Sequence, residues 1–456
     1  MAPVTAPVAA NAEPINARTV FALAAPAVAN SLLQTLVFVI DRAVLGHFDD
    51  TAIAAMQCAG PLTWTMFAVF GSFSIGTIAV TGRAIGANDR EGATTAVRAS
   101  VVVALALGTI VGALGALLAP AMVRGFGEGA GPAVTDVAVS YLRAFFPAMP
   151  LFFVGLAGIS ALQAAGDTRT PLAIGIATNA VNIVANWVLV FGKLGLPRMG
   201  ATGSALGSVI AGALEALLAL AVLWRLSAKV SLRTKPDERR APLDRAAFSA
   251  LFRVASGSFG ERVVYHLGYL LFVRFVTAQG PDAMAANQAL LAIESISFLT
   301  ADGFAVAAGA LVAQRLGADD RDGARRAGWL TAAQCAWVLA LFGLGFALFP
   351  TPLVRLFVGD ARIVAIAVPV LRFAALAQVP MAIGVVLAQS VRGAGATREA
   401  FAVSLLGALV VRIAATWLFS RALGFGLLGV WMGSTTDWVV RAVVYSARWR
   451  SGAPLR

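Results

Sequence analysis

Residues 86–93 read Gly-Ala-Asn-Asp-Arg-Glu-Gly-Ala, and residues 317–324 read Gly-Ala-Asp-Asp-Arg-Asp-Gly-Ala. The second copy lies 231 positions after the first (317 against 86). Two further matches follow in the same order. Leu142-Arg143 returns as Leu371-Arg372, and Gly166-Asp-Thr-Arg169 returns as Gly395-Ala-Thr-Arg398, each 229 positions on. Ordered matches at nearly constant offset mark the chain as a duplication. The first and last of these matches fall between long apolar runs, so the duplicated unit is a set of membrane-length segments.

Composition agrees. Of 456 residues, 59% are hydrophobic and only 13% charged, with a mean hydropathy of +0.82. A soluble globular chain carries about 25% charged residues, so a soluble multidomain enzyme is excluded. A spanning helix takes about 20 apolar residues. Runs between Gly, Pro and charge punctuation predict twelve helices near 18–46, 52–84, 93–123, 136–165, 170–192, 202–226, 247–278, 284–315, 324–357, 363–392, 399–421 and 427–447. The expected organisation is a disordered tail over 1–16, a lobe over 17–226, a basic cytoplasmic linker over 227–246, a lobe over 247–448 and a cytoplasmic tail over 449–456. The N-terminus lacks the basic start of a cleaved signal peptide.

The net charge of +12 would suggest nucleic acid in a soluble chain, but its placement argues for orientation. With a cytoplasmic N-terminus, alternate loops collect Arg83, Arg90 and Arg98, then Arg169, then the 225–245 cluster; the second half adds Arg315, Arg321, Arg325, Arg326, Arg392 and Arg398, and the tail Arg448 and Arg450. The opposite loops hold few. This positive-inside bias places both termini in the cytoplasm and leaves no need for nucleic acid. Six spans per half, an even number, insert both halves the same way up. The fold expected is all-α, two six-helix lobes related by a pseudo-two-fold axis along the membrane normal, with a cleft between them suited to alternating access.

The residues then resemble a known family. PAVANSLLQTLVFVIDRAVLGHF (26–48) and LQAAGDTRTPLAIGIATNAVNIVANWVLVFG (162–192) in the first half are similar to segments of the multidrug and toxic compound extrusion (MATE) transporters. GERVVYHLGYLLFVRFV (260–276) and MAANQALLAIESISFLTADGFAVAAGALVAQRLGADDRDGA (284–324) match in the second half. The resemblance implies a polyspecific exporter exchanging amphipathic cations for protons or sodium. No cofactor and no enzymatic activity are expected, the expected partners are membrane lipid and small amphipathic cations, and a monomer is the expected working unit because a complete twelve-span unit needs no second copy to form a cleft.

Candidate chemistry sits where ionisable groups fall inside spans, since such groups are costly there and those that persist face a cavity or a partner. Asp41, late in the first span, is the first candidate; a carboxyl there can carry a proton or ligate sodium, and the family's first-helix aspartate falls on it. Asn179, Asn182 and Asn186 share one span, the last two at i and i+4 on one face. The family pattern Asn-x-x-Asn-x-x-x-Asp has a carboxylate where this chain has Asn186, which weakens a sodium site and favours protons. Gln34, two turns before Asp41, and Ser208 in the sixth span are candidate substrate contacts. In the second half Glu261 is a coupling candidate, with the adjacent Arg262 as a competing ion-pair partner. Glu294 matches the family's Ile-Glu-Ser segment. Asp437 has Arg441 at i+4 and is as well explained by a structural pair as by a site. Asp302 has no assigned role, and Arg412 can pair with one of these carboxylates.

The rest reads as architecture. His47 and His266 lie near span ends, Cys58 and Cys335 are isolated, and no metal-ligand spacing or phosphate loop occurs. The Trp residues are expected at the membrane interface. Gly203/Gly207 and Gly429/Gly433 have the spacing that lets helices pack closely, and Pro26, Pro147, Pro150 and Pro380 are expected to bend helices. The rival transport reading is a flippase for a lipid-linked oligosaccharide, whose cleft the resemblance would line with cationic residues. An intramembrane enzyme would need a nucleophile or metal cluster that the sequence lacks.

Overall fold

The computed structural model describes residues 15–126, 131–225, 232 and 245–455. Nearly all of the expected N-terminal tail and of the basic linker lies outside these residues. Among the described residues there is no strand. In the first half the helices are α1 (Ala17–Gly46), α2 (Asp50–Phe70), α3 (Ser72–Gly86), α4 (Arg90–Phe126), α5 (Pro132–Phe145), α6 (Met149–Ala164), α7 (Arg169–Phe191) and α8 (Gly200–Trp224). The second half has α9 (Arg245–Thr277), α10 (Pro281–Gly317), α11 (Arg321–Leu348), the short α12 (Pro350–Arg355), α13 (Ala361–Ala374), α14 (Gln378–Gly393), α15 (Thr397–Ser404), α16 (Arg412–Trp417) and α17 (Gly426–Ser451).

Joined where only a break interrupts them, these make twelve spans. Pairs α2–α3, α5–α6 and α13–α14 each form one span, and α15–α16 runs through two π-helical turns, Leu405–Val411 and Leu418–Ala422. Nine stretches among the described residues are long and apolar enough to cross a membrane by length and composition. The other three spans are α1, α9 and α17, of which α9 carries Glu261 and Arg262 and α17 carries Asp437 and Arg441. The chain is a multi-pass membrane protein.

The duplication is visible atom by atom. Asn88 and Asp319, 231 positions apart, both adopt a left-handed backbone, with φ of 56° and 59°. The next residue caps the following helix in each half. Asp89 accepts from the Gly92 N–H at 2.8 Å, and Asp320 accepts from the Gly323 N–H at 2.7 Å, satisfying an otherwise orphan helix-start donor. A 3₁₀ turn breaks the fourth span at Phe146–Ala148 and the tenth at Ala375–Ala377. Gly166 and Gly395 close the equivalent turns with φ of 78° and 80°, a region open to glycine. Both Gly pairs lie at close helix crossings. A Cβ on Gly203 would sit 2.8 Å from the Leu189 carbonyl, and one on Gly429 would sit 2.5 Å from the Phe419 carbonyl carbon.

Packing divides the chain into two compact units. The first unit is Ala29–Ile85 and Asp89–Ala255; the second is the chain through Val28, Gly86–Asn88 and Ser256–Arg456. The start of α1 therefore packs with the second unit, where the Val28 backbone meets Gly303, rather than with the lobe expected over 17–226. The expected C-terminal tail is ordered: α17 runs to Ser451, and Trp449 is buried and donates to the Arg325 carbonyl at 3.2 Å.

The first unit's core centres on Phe145, Phe146, Met149 and Phe153, around the break in its fourth span. The core of the second unit includes Leu339, Met381, Leu387 and Tyr445. The interface expectation for Trp fails at three positions, since Trp431, Trp438 and Trp449 are all buried. Each has a partner for its polar edge or its ring face, which a lipid-facing Trp would not need.

Candidate ion and substrate sites

In the first unit, α1 and α7 bring the predicted polar residues together. Asn186 Nδ2 donates to Asp41 Oδ1 at 2.5 Å and to Asn182 Oδ1 at 3.2 Å. Asn182 Nδ2 points on to Ser208 Oγ of α8 at 3.4 Å. The i, i+4 spacing of the two asparagines puts both on the face of α7 that packs on α8, and both are buried. Gly207 makes this contact fit, because its missing side chain leaves room for Asn186 Oδ1. That oxygen is buried without a hydrogen-bond partner among the described residues.

Asp41 is half-buried and opens on a cavity of about 160 Å³ that Ser204 and Ser208 also line. Aromatic walls come from Trp64, Phe67 and Tyr141, and Arg42 lines the same space. One carboxylate, hydroxyls and aromatic faces suit an apolar body bearing a positive charge. Gln34 is exposed and Asn179 is half-buried, and neither lines this cavity.

In the second unit the carboxylates fall into two groups. Glu261 is buried and gripped by Arg392, whose Nε and Nη2 donate at 2.9 and 2.8 Å, while Ser404 Oγ donates at 2.7 Å. The partner is Arg392 of α14, not the adjacent Arg262. Arg392 is therefore no loop cation of the positive-inside pattern but a buried one, its side chain 17% exposed. Asp437 is wholly enclosed between Arg412 at 2.7 Å and Arg441 at 2.6 Å. Trp438 and Tyr265 rings lie within about 6 Å of both guanidiniums. Arg412 stands between the two π-helical turns, local widenings that re-aim a side chain.

Glu294 and Asp302 of α10 make no ion pair or hydrogen bond among the described residues. Asp302 lines a second cavity of about 80 Å³ together with Glu261, Arg262 and Arg392. Glu294 lies in the field of Arg412. Among the described residues no group of three His, Cys, Asp or Glu side chains could hold a metal ion.

Comparison with known proteins decides the family. The MatE family model matches residues 26–188 and 258–418, once in each half of the duplication. The chain belongs to the MatE family. A protein described as a probable multidrug resistance protein NorM from Thermotoga maritima is 27% identical over 441 residues, covering 95% of this chain and 93% of that protein. A relative of the same description from Mesorhizobium japonicum is 30% identical over 329 residues, 70% of this chain and 69% of that protein. Among solved structures, the outward-facing conformation of a multidrug resistance MATE family transporter has the same fold. It shares 19% identity, covers 96% of both chains and superposes with a TM-score of 0.88.

Several residues of these MatE sites had no assigned role in the sequence. Tyr141, Tyr265 and Tyr445 each line one of the two polar cavities, and the chain has only 4 tyrosines. That scarcity is the signal that could have found them. Glu215 of α8 was also overlooked; its Oε1 lies against Gly155 of α6, with no ion pair or hydrogen bond among the described residues. Arg392 gave no usable signal, because its partner lies 131 residues away.

Proposed function

We propose that this MatE protein is a secondary active antiporter of the bacterial inner membrane, with both termini cytoplasmic. It exports lipophilic, mostly cationic drugs or toxic metabolites in exchange for protons, by alternating access and as a monomer. The observation that carries this reading is Asp41, held by Asn186 at the edge of an aromatic-walled cavity. The multidrug resistance relatives support the substrate class.

The chemistry is competition for one carboxylate. An ionised Asp41 and the Arg42 guanidinium together leave the cavity neutral, and an amphipathic cation replaces the lost solvation of the carboxylate while its apolar body packs on Trp64, Phe67 and Tyr141. A proton arriving at Asp41 removes that partner. The cavity then has lost its negative charge, and the cation is expelled. A bare carboxylate in an apolar cavity is costly, so the site exchanges one partner for the other instead of emptying. Exchange of one proton for one monovalent cation moves no net charge, so the pH difference drives it, at roughly 1.4 kcal/mol or tenfold in substrate distribution per pH unit. Protons are the coupling ion in this reading because Asn186 leaves Asp41 as the one acidic group of its cluster. A flippase reading draws no support from the second cavity, where Arg262, Arg392 and Arg441 are matched by Glu261, Asp302 and the adjoining Asp437.

The test is ethidium efflux from proteoliposomes holding the full chain, with proton and sodium gradients imposed separately. Efflux driven by the proton gradient alone is the expected result. Efflux driven by sodium alone overturns the choice of ion, and efflux under neither overturns the antiporter.

A further inference from the structure

The cavity between α9, α10, α14 and α17 holds acids and bases in very different conditions. Glu261 is fully engaged by Arg392 and Ser404. Asp302 borders the same space, yet no hydrogen bond or ion pair reaches it from a described residue. Arg262 also borders it, and its side chain makes no hydrogen bond among the described residues. A cavity of about 80 Å³ has room for several waters, enough to carry a proton to or from either group.

We infer that Asp302 is a second proton-exchange site, in the second unit, that works beside Asp41 and takes the part that Glu261 cannot. Glu261 is excluded because accepting a proton would break two charge-assisted hydrogen bonds and leave Arg392 buried without its partner, a severe penalty. Asp302 has no such bonds to lose. The proton enters on a carboxylate oxygen from cavity water and leaves by the same route, and no other bond changes. The groups that face Asp302 are Glu261, Arg262 and Tyr265 from α9, Arg392 from α14, and Arg441 and Tyr445 from α17; α11 and α13 contribute none to this cavity. With Asp302 ionised, its charge and that of Arg262 balance. With Asp302 neutral, the cavity gains one net positive charge, which disfavours a cation held nearby.

The inference rests on the antiport reading, and the experiment separates the two. The full-length protein in detergent is titrated with tetraphenylphosphonium, and the protons released per cation bound are counted by calorimetry in buffers of different ionisation enthalpy. Asp302→Asn is expected to release one proton fewer than wild type, Asp302→Glu to restore the wild-type count, and Asp360→Asn, at an exposed helix cap outside this cavity, to leave the count unchanged. An unchanged count in Asp302→Asn overturns the inference while leaving antiport at Asp41 intact. No binding by wild type overturns the antiport reading and this inference with it. Because Asp302→Asn could fail to fold, wild type is also labelled with a hydrophobic carbodiimide, which reacts with protonated carboxyls in apolar surroundings. Peptide mapping is expected to find Asp302 modified and protected by tetraphenylphosphonium; an unmodified Asp302 overturns the assignment.

Discussion

Asn186 decides how Asp41 behaves. A carboxamide shares a hydrogen bond with the carboxylate without repelling it, so the pair carries one titratable group where two carboxylates would carry two. Asn186→Asp should therefore create a two-carboxylate site and give efflux a sodium dependence that wild type lacks, read as stimulation by a sodium gradient at fixed pH. Arg42 lines the same cavity. If its charge helps expel the substrate, Arg42→Gln should bind tetraphenylphosphonium several-fold more tightly and turn over more slowly, separating affinity from rate. Asp41, Asn182 and Asn186 were legible because their spacing falls on helix faces and two of them recur in a family pattern. Glu215 and Arg392 were not. A lone glutamate in an Ala/Leu run carries no periodic signal, and an arginine one residue from a helix end reads as a loop cation until its partner is seen.

At the scale of the element, helix boundaries followed from polar punctuation, while the breaks within spans did not. The 3₁₀ turn at Phe146–Ala148 could be suspected from Pro147 and Pro150, but its counterpart at Ala375–Ala377 precedes Pro380 by three residues and contains no proline. The π-helical turns around Arg412 have no composition signal, since they answer to tertiary packing against α17. Gly407 lies in the first of them, and a Cβ there would meet Arg441 Nε at 2.6 Å.

The α7–α8 crossing is the most exacting. Gly207→Ala should displace Asn186 and abolish coupled efflux, at a stability loss of about 1–3 kcal/mol, measured by unfolding in mixed micelles. The Asp320 cap makes a milder, pH-dependent prediction. Burial pushes its carboxyl up, but the Gly323 N–H and the Arg315 guanidinium outweigh that and hold it below the usual carboxylate range. A depressed carboxyl contributes stability above its ordinary value of about 3.9 that is lost as pH falls through the lower folded value. Asp320→Ala should cost about 1 kcal/mol near neutrality, and its deficit should shrink under acid.

Across the whole molecule, duplication explains the shared architecture and divergence explains the chemistry. Both halves keep the capped turn, the broken span and the close glycine crossing. The first unit then hangs Asp41 on a carboxamide, while the second pairs Glu261 and Asp437 with arginines. Asp437 shows what that pairing is worth: Asp437→Asn would leave Arg412 and Arg441 facing a neutral group, and removing one partner from a buried cluster costs about 3–5 kcal/mol. A large loss of folded protein in detergent is expected, in contrast to Asp41→Asn, which should fold normally.

That contrast allows the most direct test of coupling at Asp41. Proteoliposomes holding wild type or Asp41→Asn are assayed for ethidium efflux under an imposed proton gradient, beside a parallel measurement of cation binding to the same preparations. Wild type should concentrate ethidium against its gradient, and Asp41→Asn should stay folded yet lose the proton-driven component at every pH. Proton-driven efflux at the wild-type rate in Asp41→Asn would contradict the assignment of coupling to this carboxylate.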